Sequence, residues 1–125
     1  MSNFKRWIPA IGLMILIFLA SATPSKNLPS YGVWDTIVKK SGHMTGYGLL
    51  ALAYWYGLGF DWKKGWVAWI LAVLYAASDE FHQSTTPGRH PSWVDVFLFD
   101  GGGAAIGLGL MVVWRMVRKK MRAVT

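Results

Sequence analysis

The sequence predicts an all-α protein, a four-helix transmembrane bundle with both termini cytoplasmic and a polar cluster at its outer face. Three observations carry that prediction. Hydrophobic residues make up 54% of the chain and charged residues 15%, against about 25% charged in ordinary soluble domains. The apolar residues fall into four long runs, and the charges gather between them. Eight Trp and fourteen Gly also suit membrane spans, where both types are enriched. At 125 residues the chain is expected to be a single domain, residues 1–125.

The first span is expected at about 7–22. Lys5-Arg6 precede it, and Ala20-Ser21-Ala22 close it. A basic start, apolar middle and small-residue end also suit a signal peptide. Retention is favoured, because a multispan protein needs no removable signal. Residues 23–35 read as a loop broken by Pro24, Pro29 and Gly32. The second span is expected at 41–60, entered by Lys39-Lys40 and carrying His43 near its start. A tight turn follows at Asp61-Trp62-Lys63-Lys64.

The third span is expected at 65–82, and its length is informative. Its uncharged part, 65–78, rises only about 21 Å, too short for a hydrocarbon core of about 30 Å. Either the helix continues through Asp79, Glu80 and His82, or the bilayer thins there. Pro87-Gly88 signals a turn, so residues 84–92 read as an interfacial or re-entrant loop. The fourth span is expected at 93–114, with Asp95 and Asp100 inside it and a basic tail after it.

Lys5, Arg6, Lys63, Lys64 and the five basic residues from Arg115 to Arg122 fall on one side, leaving Lys26, Lys39, Lys40 and Arg89 on the other. The positive-inside rule then places both termini in the cytoplasm. The net charge of +7 could suit nucleic acid. The basic residues flank apolar runs instead of interleaving with exposed aromatics, so a nucleic-acid partner is set aside in favour of anionic lipid. With no cysteine, disulfides, thiolate nucleophiles and thiolate metal sites are excluded.

The stretch from Ser78 to Asp95 holds three of the six acidic residues, two of the three histidines and an arginine. Ionisable groups pressed between membrane-length segments are functional candidates by default. On the second span, Lys40, His43, Tyr47 and Leu50 share one helical face. The plainer reading of that stripe is interfacial anchoring. Asp79 and His82 are three apart and share a face. A carboxyl kept partly protonated beside a histidine, as Glu80 and His82 could be, suits general acid/base work. The alternative is an ion-pair knot that pins the loop to the bundle. A metal site from His43, Glu80, His82 and Asp95 has suitable ligand types but lacks a recognised spacing, so no metal is assigned, and no cofactor is indicated.

Arg89, after Pro87-Gly88, places a guanidinium at headgroup depth, where it suits bidentate phosphate contact. Its plainer role is to pair Asp79, Glu80 or Asp95. Gly103 and Gly107 form a small-residue face that lets another span approach closely, and through which a second copy could pair as a homodimer.

These residues resemble the VanZ-like family of small bacterial membrane proteins. The likeness lies in Lys40-x2-His43-x3-Tyr47-x2-Leu50, Asp79-Glu80-x-His82-Gln83, Pro87-Gly88-Arg89, Asp95, Gly103 and Gly107, over about residues 39–109. It implies a four-span, multi-pass protein of the bacterial inner (cytoplasmic) membrane. It also implies a link to resistance to the lipoglycopeptide teicoplanin. The residues carried over are Lys40, His43, Tyr47, Asp79, Glu80, His82, Gln83, Arg89 and Asp95. In one departure, family members often carry Asn or Asp four residues after the counterpart of Asp95. Here Phe99 stands there and the carboxylate follows at Asp100, which a regular helix would turn about 100° away.

The expected activity is binding of, or action on, membrane lipids or a lipid-linked envelope precursor. Glu80 and His82, with Asp79 and His43, would carry acid/base chemistry or polar recognition. Arg89 and Lys40 would hold an anionic headgroup, Tyr47 and Gln83 would contact it, and Asp95 would orient His82 or Arg89. The alternative is a non-enzymatic membrane binding or scaffold protein whose polar cluster is structural.

Overall fold

A computed structural model describes residues 3–23 and 29–125; Pro24 and Lys26 lie outside the described residues. Among those described there are four principal helices and no strand. Helix α1 spans Ile8–Ala22, after a 3-10 turn at Asn3–Trp7. Pro9 lies in its first turn, where a fixed φ and a missing N–H cost nothing.

Helix α2 spans Asp35–Gly57, so it begins six residues ahead of the expected start. The Asp35 carboxylate favours a helix N-terminus through the macrodipole and pairs with Lys39 one turn on, at 2.7 Å. The helix also stops three residues early. Gly59 takes φ 79° and Phe60 φ 54°, and the Phe60 N–H donates to Trp55 O while Gly59 N–H donates to Tyr56 O. That is a Schellman ending, with glycine at the left-handed position.

Helix α3 spans Gly65–Gln83. It continues through Asp79, Glu80 and His82 and rises about 28 Å, so the first of the two expected options holds. Helix α4 spans Trp93–Val124 and carries the basic tail as helix well past residue 114. Its fourth to eighth residues, Val96–Asp100, form a π-turn in which Gly101 N–H donates to Val96 O.

Helix α2 packs against each of the other three. Its closest partner is α4. A Cβ on Gly107 would stand 2.9 Å from Gly48 Cα, and one on Gly103 would meet the Met44 backbone. The small-residue face of α4 therefore packs closely on α2 of the same chain. On α3, Ala68, Ala72 and Ala76 are buried at four-residue spacing, a small-residue stripe that lets neighbouring backbones approach.

The core is completed by Tyr47, Leu50, Trp55, Val96 and Ala104. Large apolar side chains also cover the outside, among them Leu16, Leu74, Phe81, Phe97 and Leu110. Two helical segments, Asn3–Ala22 and Trp93–Val124, are long and apolar enough to cross a membrane. At one end of the bundle, Arg115 lies 4.5 Å from the Trp62 ring centroid and donates to Phe60 O at 3.1 Å. At the other end lie the acidic residues of α3 and α4.

Candidate functional site

Except for His82, the predicted site residues separate into a buried network and an open pocket. The network begins at Tyr47, 1% exposed, whose hydroxyl donates to Asp79 Oδ2 at 3.0 Å. Gln83, one turn beyond Asp79 on α3, donates to the same oxygen at 3.2 Å and to Ser21 Oγ at 3.3 Å. Thr86 Oγ1 donates to Ser21 O. Hydrogen-bonding polar groups thus tie α1, α2 and α3 inside the bundle, where each lost partner would leave a buried polar atom. Asp79 Oδ1 is buried without a partner among the described residues.

The pocket lies beside this network, with a volume of about 310 Å³. Lys40, His43, Glu80, Arg89, Asp95 and Asp100 all line it, along with Gln83. Lys40 Nζ pairs with Asp95 Oδ1 at 3.1 Å and stands 4.1 Å from the Phe99 ring centroid. His43 Nδ1 lies 3.2 Å from Asp100 Oδ1. A carboxylate on one imidazole nitrogen fixes the ring and its tautomer and raises the basicity of the other nitrogen. Glu80 Oε1 accepts from the Ser92 backbone N–H, which ties the end of α3 to the start of α4.

Asp100 enters the site because of the π-turn. In a regular helix, residues five apart are rotated by about 140° from each other. One i→i+5 turn absorbs the extra residue, so Asp95 and Asp100 both line the pocket. The expectation that Asp100 turns away is thus corrected. The pairing predicted for Asp95 is corrected too. Asp95 meets Lys40 rather than His82 or Arg89.

Arg89 has no ion-pair partner among the described residues. Its Nη2 donates to Ala20 O at 2.8 Å and its Nε to Thr23 O at 3.3 Å. It thereby caps the carbonyl end of α1, where a cation is favoured, while still lining the pocket. His82 is not brought into the pocket. Its ring stacks on Phe18 of α1 with centroids 4.5 Å apart, so Glu80 and His82, two apart on a helix, face different ways.

Among the lining and supporting residues not singled out as site residues from the sequence are Ser21, Ser92, Lys39 and His90. Ser21 and Ser92 are ordinary small polar residues with no local signal. Lys39 and His90, which also line the pocket, could have been found only from their nearness to Lys40 and Arg89. Among the described residues no three His, Asp or Glu side chains are placed to hold a metal ion.

No curated protein and no solved structure matches the chain. The family model VanZ/LLP1 matches residues 6–115, a span that includes α1, α2, α3, most of α4 and every residue of the pocket and network. The chain belongs to the VanZ/LLP1 family.

Proposed function

We propose that this protein is a four-span membrane protein whose pocket binds the headgroup of a cell-envelope lipid or lipid-linked precursor. Both termini lie in the cytoplasm, and the pocket opens at the outer face of the bacterial inner membrane. The observation that carries this reading is a pocket of mixed charge at one end of a bundle whose outer surface is apolar. Arg89 supplies a guanidinium without a carboxylate partner among the described residues, the group best shaped for a phosphate. His43, oriented by Asp100, is the acid/base residue of this pocket if turnover occurs.

A second reading is supported by the buried chain of Tyr47, Asp79, Gln83 and Ser21. These residues are consumed in holding three helices together, so in this reading the polar cluster serves folding alone. The two readings are separated by a teicoplanin killing curve in a susceptible Gram-positive host. Wild type is compared with Glu80→Gln and Arg89→Gln at equal membrane abundance. The ligand-binding reading expects protection by wild type that both variants lose. Equal protection by all three returns the pocket to a structural role. No protection by any of them removes the link to teicoplanin susceptibility from this member.

A further inference from the structure

Below the pocket, the seam between α2 and α4 continues as an apolar groove of about 510 Å³. Met44, Gly48, Leu49 and Leu52 line it from α2, and Gly103, Ile106, Leu110 and Trp114 from α4. Its floor is backbone, because Gly48, Gly103 and Gly107 meet there without side chains. Its walls stand open. Leu49, Ile106, Leu110 and Trp114 are each at least half exposed.

Pocket and groove are consecutive along one seam. Lys40 and Phe99, in contact with each other in the pocket, are each one helical turn above Met44 and Gly103, the first residues of the groove. From Gly103 to Trp114 the groove runs about 16 Å along the helix. That is about half of a hydrocarbon core of about 30 Å, in the part of α4 nearer Arg115.

We propose that the α2/α4 groove holds one hydrocarbon chain of the same amphiphile whose phosphate-bearing headgroup lies in the pocket at Arg89. This rests on the headgroup reading above and adds the chain to it. A polar site with cations lies one helical turn above an apolar slot, and a molecule with a charged head and a long tail complements both. The groove excludes a branched or bulky tail at its floor, where the two backbones touch at Gly48 and Gly107.

The test uses the full chain in maltoside micelles, which contain no phosphate. Phosphatidylglycerol carrying a mid-chain diazirine is photolysed with the protein, and labelled residues are mapped by mass spectrometry. Diacylglycerol with the same chains is the control probe, and inorganic phosphate is the competitor. The expected result is label concentrated on Leu49, Leu52, Ile106 and Leu110. Capture should fall about tenfold for Arg89→Gln and for the diacylglycerol probe, the scale of one lost charge-assisted contact. Leu110→Trp, at a wall position that tolerates bulk, should move the label out of the groove.

Capture that depends on Arg89 but labels outward residues such as Leu74 and Phe97 would overturn the groove assignment and leave the headgroup reading intact. Equal groove labelling by both probes, unaffected by Arg89→Gln, would show ordinary solvation by any chain and overturn it as well. A dimer on light scattering with an unlabelled groove would mean that a second copy occupies it. Absence of capture by any probe would remove the headgroup reading itself.

Discussion

Asp79 and Glu80 are adjacent in sequence, and the helix sends them to different tasks. Asp79 accepts from Tyr47 and Gln83 inside the bundle. Tyr47→Phe leaves its Oδ2 with Gln83 alone, and the expected loss is about 1–3 kcal/mol of stability, read as a lower thermal midpoint of the purified protein. Glu80 accepts from the Ser92 N–H. Glu80→Gln keeps a carbonyl acceptor there, so its midpoint should stay near wild type. Glu80→Ala leaves that amide unpaired and should lose about 1–3 kcal/mol. A midpoint for Glu80→Gln as low as that for Glu80→Ala would mean that the carboxylate's charge, rather than its hydrogen bond, holds the loop. His82, equally prominent in the motif, stacks on α1 instead of lining the pocket beside Glu80, a contact that leaves no trace in local spacing.

The glycines of α4 divide sharply at the scale of helix packing. Gly103→Ala and Gly107→Ala press a methyl into the backbone of α2, and overpacking of this kind costs about 1–3 kcal/mol. Gly102 and Gly109 have nothing within 4 Å of a built Cβ. Gly102→Ala and Gly109→Ala should therefore be neutral or stabilising, by up to about 1 kcal/mol of helix propensity. Detergent melting curves of the four variants check the contrast, and equal behaviour would refute the α2/α4 contact. The π-turn permits a second test of the same helix. Leu98 is 64% exposed and lies within Val96–Asp100. Its deletion should restore a regular helix with Asp100 four residues after Asp95, keeping both on the pocket. Deleting Ile106 instead rotates all that follows by about 100° and displaces Gly107 from α2. The first variant should elute as a folded monodisperse species and the second should not. The small-residue face was legible as a packing face. Which helix it meets was not, because a spacing of four residues fits a helix of the same chain or of another.

For the whole molecule, the proposed topology makes a direct prediction, helped by a chain without cysteine. Single substitutions Ser30→Cys and His90→Cys should react with a membrane-impermeant maleimide on intact cells. Lys63→Cys should react only after permeabilisation. Reversed accessibility would invert the bundle and put the pocket on the cytoplasmic side.

The sequence by itself determined the helical class, the approximate limits of each helix and the end of the bundle where the polar residues gather. Those follow from hydrophobic run length and charge placement, which are local quantities. Only the tertiary structure decided that Asp79 joins the buried network while Glu80 lines a pocket, that Asp95 belongs to Lys40, and that Arg89 caps α1. It also decided that a π-turn returns Asp100 to His43. Each of these is a contact between residues far apart in the chain, or a one-residue change in helical phase. Spacing along a helix reports which side chains share a face, and carries no information on what that face meets.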